Sequence, residues 1–105
     1  MDSEDKEYTV VIQDPATGML LEHARFLAQV SENAAYRLVD EFYNNAKSLE
    51  HMPERCPWLS DINIPSKKYR KLILEKRYLI LFIIREDTVY IDAVVDCRQD
   101  YGWLL

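Results

Sequence analysis

The chain predicts an α+β fold in the order β-α-α-β-β-β, a mainly antiparallel sheet packed on a helical hairpin. Three observations predict it. Two consecutive segments carry apolar residues at helical spacing, with only a short connection between them. Three strand-like runs follow, and they come after a gap rich in proline. At 105 residues with 49% hydrophobic content and no internal repeat, the chain has room for one domain, residues 1–105, with an adequate core.

The first strand is expected over residues 8–13, Tyr-Thr-Val-Val-Ile-Gln, a β-branched and aromatic run. It ends at Asp14-Pro15, where an Asp N-cap followed by Pro at the first helical position starts a helix. Leu20, Ala24, Leu27 and Ala28 form that helix's apolar stripe, and Gly18 weakens its first turn by about 1 kcal/mol relative to Ala. Ser31 is placed to cap a second helix with the stripe Ala35, Leu38, Val39, Phe42, Ala46 and Leu49, which Pro53 forbids from continuing. Asp40, Glu41, Asn44, Asn45 and Lys47 hold the opposite side, so the two helices should pack as an antiparallel hairpin.

Residues 53–66 hold Pro53, Pro57 and Pro65 with no sustained period, and read as a long loop whose Trp58 is expected to pack over the end of the core. Three strands follow: Tyr69 to Leu74, Tyr78 to Ile84, and, after Arg85-Glu86-Asp87, Thr88 to Val95. In the last, Val89, Ile91, Ala93 and Val95 should share one face, and Tyr90, Asp92, Val94 and Asp96 the other. Tyr78-Leu-Ile-Leu-Phe-Ile-Ile84 is apolar on both faces, which predicts a central strand covered on both sides, in part by another chain.

Net charge is -5, unevenly spread. The segment 67–77 contains Lys67, Lys68, Arg70, Lys71, Lys76 and Arg77 against the single anion Glu75, leaving 7 basic and 17 acidic groups, a net -10, on the rest. Such a segment suits a partner or polyanion; it equally suits a strand edge kept soluble by lysine. Cys56 and Cys97 match no metal-ligand spacing and are too few for a secreted disulfide framework, so a reduced, cytoplasmic setting is expected. No apolar run reaches the roughly 20 residues of a membrane helix, and the opening Met1-Asp2-Ser3-Glu4-Asp5 is acidic where a signal peptide is basic. With only Gly18 and Gly102, the chain has no phosphate-cradling loop, so no cofactor and no metal is expected. His23 and His51 read as exposed helix residues.

Several stretches resemble one family in order and spacing. Ser31 through Leu49-Glu-His-Met-Pro-Glu-Arg55 is similar to the second helix of RelE/ParE toxins and the Pro-Glu-Arg turn that closes it. Tyr69-Arg-Lys-Leu-Ile73, Tyr78-Leu-Ile-Leu-Phe82 and Asp87-Thr-Val-Tyr-Ile-Asp92 resemble its three-strand meander, and Arg98-Gln-Asp-Tyr101 its closing Arg-Arg-Asp-Tyr. The resemblance spans about residues 8 to 101, and the first helix, with Gly18 and Met19, fits it least. It implies the toxin of a type II toxin–antitoxin pair, held inactive by a cognate antitoxin. RelE-like members cut messenger RNA on the ribosome without a metal; ParE-like members poison DNA gyrase and are not enzymes.

The residues favour the ParE-like reading. Metal-free RNA cleavage needs a base, an acid and cations for the phosphorane. Where nucleases of the family carry an arginine after the middle-strand tyrosine, this chain has Leu79. Arg98 and Tyr101 match the catalytic pair if the chain is a nuclease, although Arg98 could equally pair with Asp96 or Asp100. An acidic body repels RNA, and Asp92 with Asp96 would oppose phosphate on the face they share. Trp103, Leu104 and Leu105 are the candidate gyrase-docking tail, or equally a tail packed on the sheet. The antitoxin is expected over the apolar outer face of the sheet and the basic segment 67–77. Alternatives are a RelE-like endoribonuclease or a degenerate, non-toxic binding module.

Overall fold

The computed structural model describes residues 6–97. Its elements run β1 (Thr9–Ile12), α1 (Asp14–Ala28), α2 (Glu32–Ser48), a 3-10 turn at Pro53–Arg55, β2 (Arg70–Leu74), β3 (Tyr78–Arg85) and β4 (Thr88–Asp96). The sheet order is β1-β4-β3-β2, with β1 parallel to β4 and the other pairs antiparallel. A strand that reaches its parallel neighbour needs a long crossover, and the helical hairpin lies within it.

Ser31 caps α2 as its type predicts, its Oγ accepting from the Ala34 N–H at 3.1 Å. At α1 the cap is Gln13 and makes no side-chain bond. Asp14 lies inside the first turn instead, where its charge favours the helix N-terminus. The end of α2 is built by the Pro-Glu-Arg turn. Met52 turns left-handed at φ 49°, Pro53 prevents a further helical turn, and Arg55 Nη1 donates to the His51 carbonyl at 2.8 Å and the Met52 carbonyl at 3.1 Å. Glu54 of the same turn accepts from the Tyr8 hydroxyl, so three adjacent residues stop the helix, cap it and tie it to the approach of β1.

One core layer lies between helices and sheet: Leu20, Leu38, Phe42 and Leu49 pack against Leu74, Ile80, Phe82, Val89, Ile91 and Val94. The expected face assignment of β4 fails in its second half. The register jumps between the Leu81↔Ala93 and Phe82↔Ile91 pairs, so Asp92 is an extra residue in a β-bulge. Beyond it Val94 points to the helices while Ala93 and Val95 join the outer face. Asp96, two residues after Val94, falls on the helix side and no longer shares a face with Asp92.

The outer face is not bare. Leu79, Leu81, Ala93 and Val95 are buried in a second cluster with Leu59, Ile64 and Tyr69, all from the 57–69 segment. The apolar second face of β3 is therefore covered in large part by the chain's own proline-rich loop, so at Leu79 and Leu81 no second chain is needed to cover it. Trp58 does not pack over the core end: it is 39% exposed and lies 3.9 Å from the Arg70 guanidinium.

Part of each sheet edge is capped. Leu59 N donates to the Tyr69 carbonyl at 2.7 Å and Lys71 N to the Pro57 carbonyl at 2.9 Å, which pairs the loop with β2. On the other edge β1 ends at Ile12, and the carbonyls of β4 beyond it accept from Gln13 N at 2.9 Å and from His23 Nε2 at 2.9 Å. His23 is thus a half-buried edge cap, its ring tilted against that of Tyr78 with centroids 4.7 Å apart, and not the exposed residue expected. His51 is exposed, but it lies beyond α2 in an isolated bridge with Glu7.

Candidate functional site

The six cations of 67–77 do not form one patch. Lys67, Lys68 and Arg70 stand at the start of β2, Lys76 and Arg77 at its far end, about 14 Å away along the strand at 3.4 Å per residue. Two of them are committed to structure. Arg70 Nη1 donates to the Cys56 carbonyl at 2.8 Å and the Glu54 carbonyl at 3.2 Å. Arg77 pairs with buried Asp96 at 3.2 Å and lies over the Tyr78 ring. Lys68 lies over Tyr69, Lys71 is half-buried on β2, and Lys67 and Lys76 are exposed at positive φ.

Leu79 is 6% exposed, locked beneath the loop in the outer cluster. An arginine there would have to enter an apolar layer, so the position a nuclease would use for a phosphate contact is closed to one. Arg98, Tyr101, Trp103, Leu104 and Leu105 lie outside the described residues.

Beside this apolar plug lie two separate concavities, each with Ile83 in its lining. One, of about 330 Å³, is lined by Gln13, Ile83, Arg85, Tyr90 and Asp92. The other, of about 220 Å³, is lined by Glu54, Trp58, Lys67, Lys68, Arg70, Ile83 and Ile84. Burial pushes the Asp92 carboxyl up from its ordinary value, while the Tyr69 hydroxyl and the charges of Arg85 and Lys68 hold it down. Glu54 moves the opposite way, held down chiefly by the Tyr8 hydrogen bond.

A third concavity, of about 270 Å³, lies between α1 and α2 and is mostly apolar, with Leu21, Ala24, Ala28, Ala35, Tyr36 and Val39 on its walls. Leu21 is 45% and Tyr36 68% exposed. This is an open apolar surface on the hairpin; Phe26, Val30, Ile62 and, on β2, Ile73 are exposed as well. Sequence reasoning missed it and missed Arg85 and Tyr90. The available signal was Leu21 and Tyr36 themselves, apolar residues standing beside the core stripe of each helix.

The same fold is found in solved structures. The chain superposes on a protein described as the chromosomal ParDE toxin–antitoxin system from P. aeruginosa with a TM-score of 0.70 at 14% identity, covering 87% of this chain and 97% of that one. No curated protein sequence matches it. The family model of the ParE toxin of the type II toxin–antitoxin system parDE matches residues 10–101. That span contains every described element but the first residue of β1, so the chain belongs to the ParE toxin family of type II toxin–antitoxin systems.

Proposed function

We propose that this chain acts in the cytoplasm by poisoning a protein, DNA gyrase, without cutting RNA, and that its cognate antitoxin silences it by laying an amphipathic helix in the hairpin groove. The carrying observation is Leu79. Its burial under Leu59, Ile64 and Tyr69 fills with hydrocarbon the place where cleavage would need a cation. The use of Arg70 and Arg77 as structural ties, and the carboxylate of Asp92 on the same face, support the same reading. A protein inhibitor needs a docking surface with a few buried anchors and no acid–base pair.

The antitoxin's seat is argued from apolar exposure. Leu21, Tyr36 and Val39 with three alanines between α1 and α2 leave a trough fitted to the apolar face of a helix. Purified toxin should block supercoiling by gyrase and leave ribosome-bound messenger intact. Cleavage of the messenger with normal supercoiling would overturn the reading.

A further inference from the structure

Each helix of the hairpin carries a second stripe beside the one it buries. Leu21, Ala24, Arg25 and Ala28 of α1 line the groove between the helices. Glu32, Ala35, Tyr36 and Val39 of α2 line it from the other side. Both sets fall at i, i+3, i+4 and i+7, one face of a helix. Tyr43, seven residues after Tyr36, continues the α2 stripe and is 49% exposed. A helix layered on a sheet needs only its core stripe; a second one on two adjacent helices is what a helix pair presents to other helices. The exposed Leu21 and Tyr36 supply knobs, and the alanines between them leave the hole that such knobs fill.

The charges at this groove favour a second copy of the chain as its occupant. Arg25 and Glu32 are exposed, and neither has an ion pair among the described residues. Arg25 is in the last turn of α1 and Glu32 begins α2, so both stand at the bend of the hairpin. Leu21 and Tyr36 stand one turn further from it. A half-turn about an axis along the groove lays α1 antiparallel on α2 of the second copy. Arg25 then meets Glu32 of that copy, and Leu21 meets its Tyr36. By symmetry each contact is made twice. A half-turn about an axis across the groove would set the two charges at opposite ends instead. The groove itself is neutral, and the wider repulsion between two bodies of net charge -5 is screened beyond about 8 Å at physiological salt.

We propose that two copies of this chain pair through the hairpin groove when antitoxin is absent, and that antitoxin binds by displacing the second copy. The displacement rests on the reading above that the antitoxin occupies this groove; the pairing does not. The size of the face makes the pairing weak. Two adjacent helices, the longer of 17 residues, present a face about 25 Å by 20 Å, on the order of 500 Å². A stable complex buries roughly 800 Å² on each partner. The pair therefore exchanges readily, hiding apolar surface until a partner that buries more takes the groove.

The test uses the full chain, first alone. Sedimentation over a concentration series should show a monomer–dimer equilibrium in the micromolar range, tightened by added salt because salt screens the repulsion between the bodies and leaves the apolar contact intact. Tyr36→Ala should weaken pairing by roughly tenfold or more, since the two-fold axis makes one substitution act twice. Arg25→Glu, which sets like charges against Glu32 of the second copy, should do the same, and Arg25→Glu combined with Glu32→Arg should restore pairing. Circular dichroism verifies folding of every variant.

A wild type that stays monomeric at every concentration would overturn the proposal. So would a dimer indifferent to Tyr36→Ala, one that the charge exchange does not restore, or assemblies that grow beyond two copies, because a two-fold contact closes. Antitoxin affinity is then titrated with toxin held below and above the dimer's dissociation constant, and it should be weaker above, where the groove is already filled. Equal affinity at both concentrations would overturn the displacement and the antitoxin's seat, and leave the pairing in place.

Discussion

At Gly18 and at Asp92 the chain gives up stability that a single substitution would return. Gly18 lies in the first half of α1 with no atom within 4 Å of the place a Cβ would occupy. Gly18→Ala should therefore stabilise the fold by roughly 0.5–1 kcal/mol, read as a shift of the urea midpoint at constant slope. Asp92 depends on pH. Its folded pKa is raised by burial, so the neutral acid contributes stability that is complete below the ordinary value of 3.8 and is lost as pH rises through the folded value. Asp92→Asn keeps an acceptor for Tyr69 and should stabilise the fold at pH 7 by less than about 1 kcal/mol, because partial exposure screens the charge. Melts of both proteins below pH 3.8 should converge; a difference that persists in acid would mean that packing, and not charge, separates them.

At the scale of elements, the hairpin joining β2 to β3 and the loop over the sheet each carry a testable cost. Glu75 and Lys76 both have positive φ, 53° and 60°, where the turn preferred by sequence would carry Asn-Gly. Glu75 also holds Arg37 of α2 at 2.9 Å, so the substitution to make is Lys76→Gly, expected to gain roughly 0.5–1 kcal/mol in denaturation. The loop is the opposite case. Ile64 is 6% exposed and covers the second face of β3. Ile64→Ala should cost about 2–3 kcal/mol and make the protein bind a hydrophobic dye as the outer cluster opens. Leu79→Arg should unfold the protein or cost roughly 3–5 kcal/mol, because a guanidinium would enter that layer unpaired. A Leu79→Arg protein as stable as the wild type would show that the layer has room for the cation.

For the whole molecule, two opposed surfaces follow from one arrangement: the helices cover the inner face of the sheet and leave their own outer groove apolar, while the loop covers part of the outer face and leaves the concavity of Gln13, Ile83, Arg85, Tyr90 and Asp92 beside it. Tyr36→Ala should weaken antitoxin binding by about 1–3 kcal/mol in a titration of the two purified proteins, with little effect on folding, since Tyr36 is 68% exposed. Unchanged affinity would move the antitoxin off the hairpin. Arg85, conversely, should leave that affinity unaltered.

What the sequence determined by itself is local or additive. Helical spacing over Ala35 to Leu49, the Ser31 cap, the stop at Pro53 and the strand order are legible because each depends on neighbours within a few residues, and the family resemblance is legible because it is a sum of such signals. Tertiary structure alone decided three things. One is the parallel seat of β1 beside β4, a choice of partner some eighty residues distant. Another is the bulge at Asp92, where a single unpaired residue reverses every later side chain and so defeats alternation. The last is which part of the outer face is covered: a long proline-rich loop has no period to reveal where Leu59 and Ile64 will land, and their landing on the sheet buries Leu79 and Leu81.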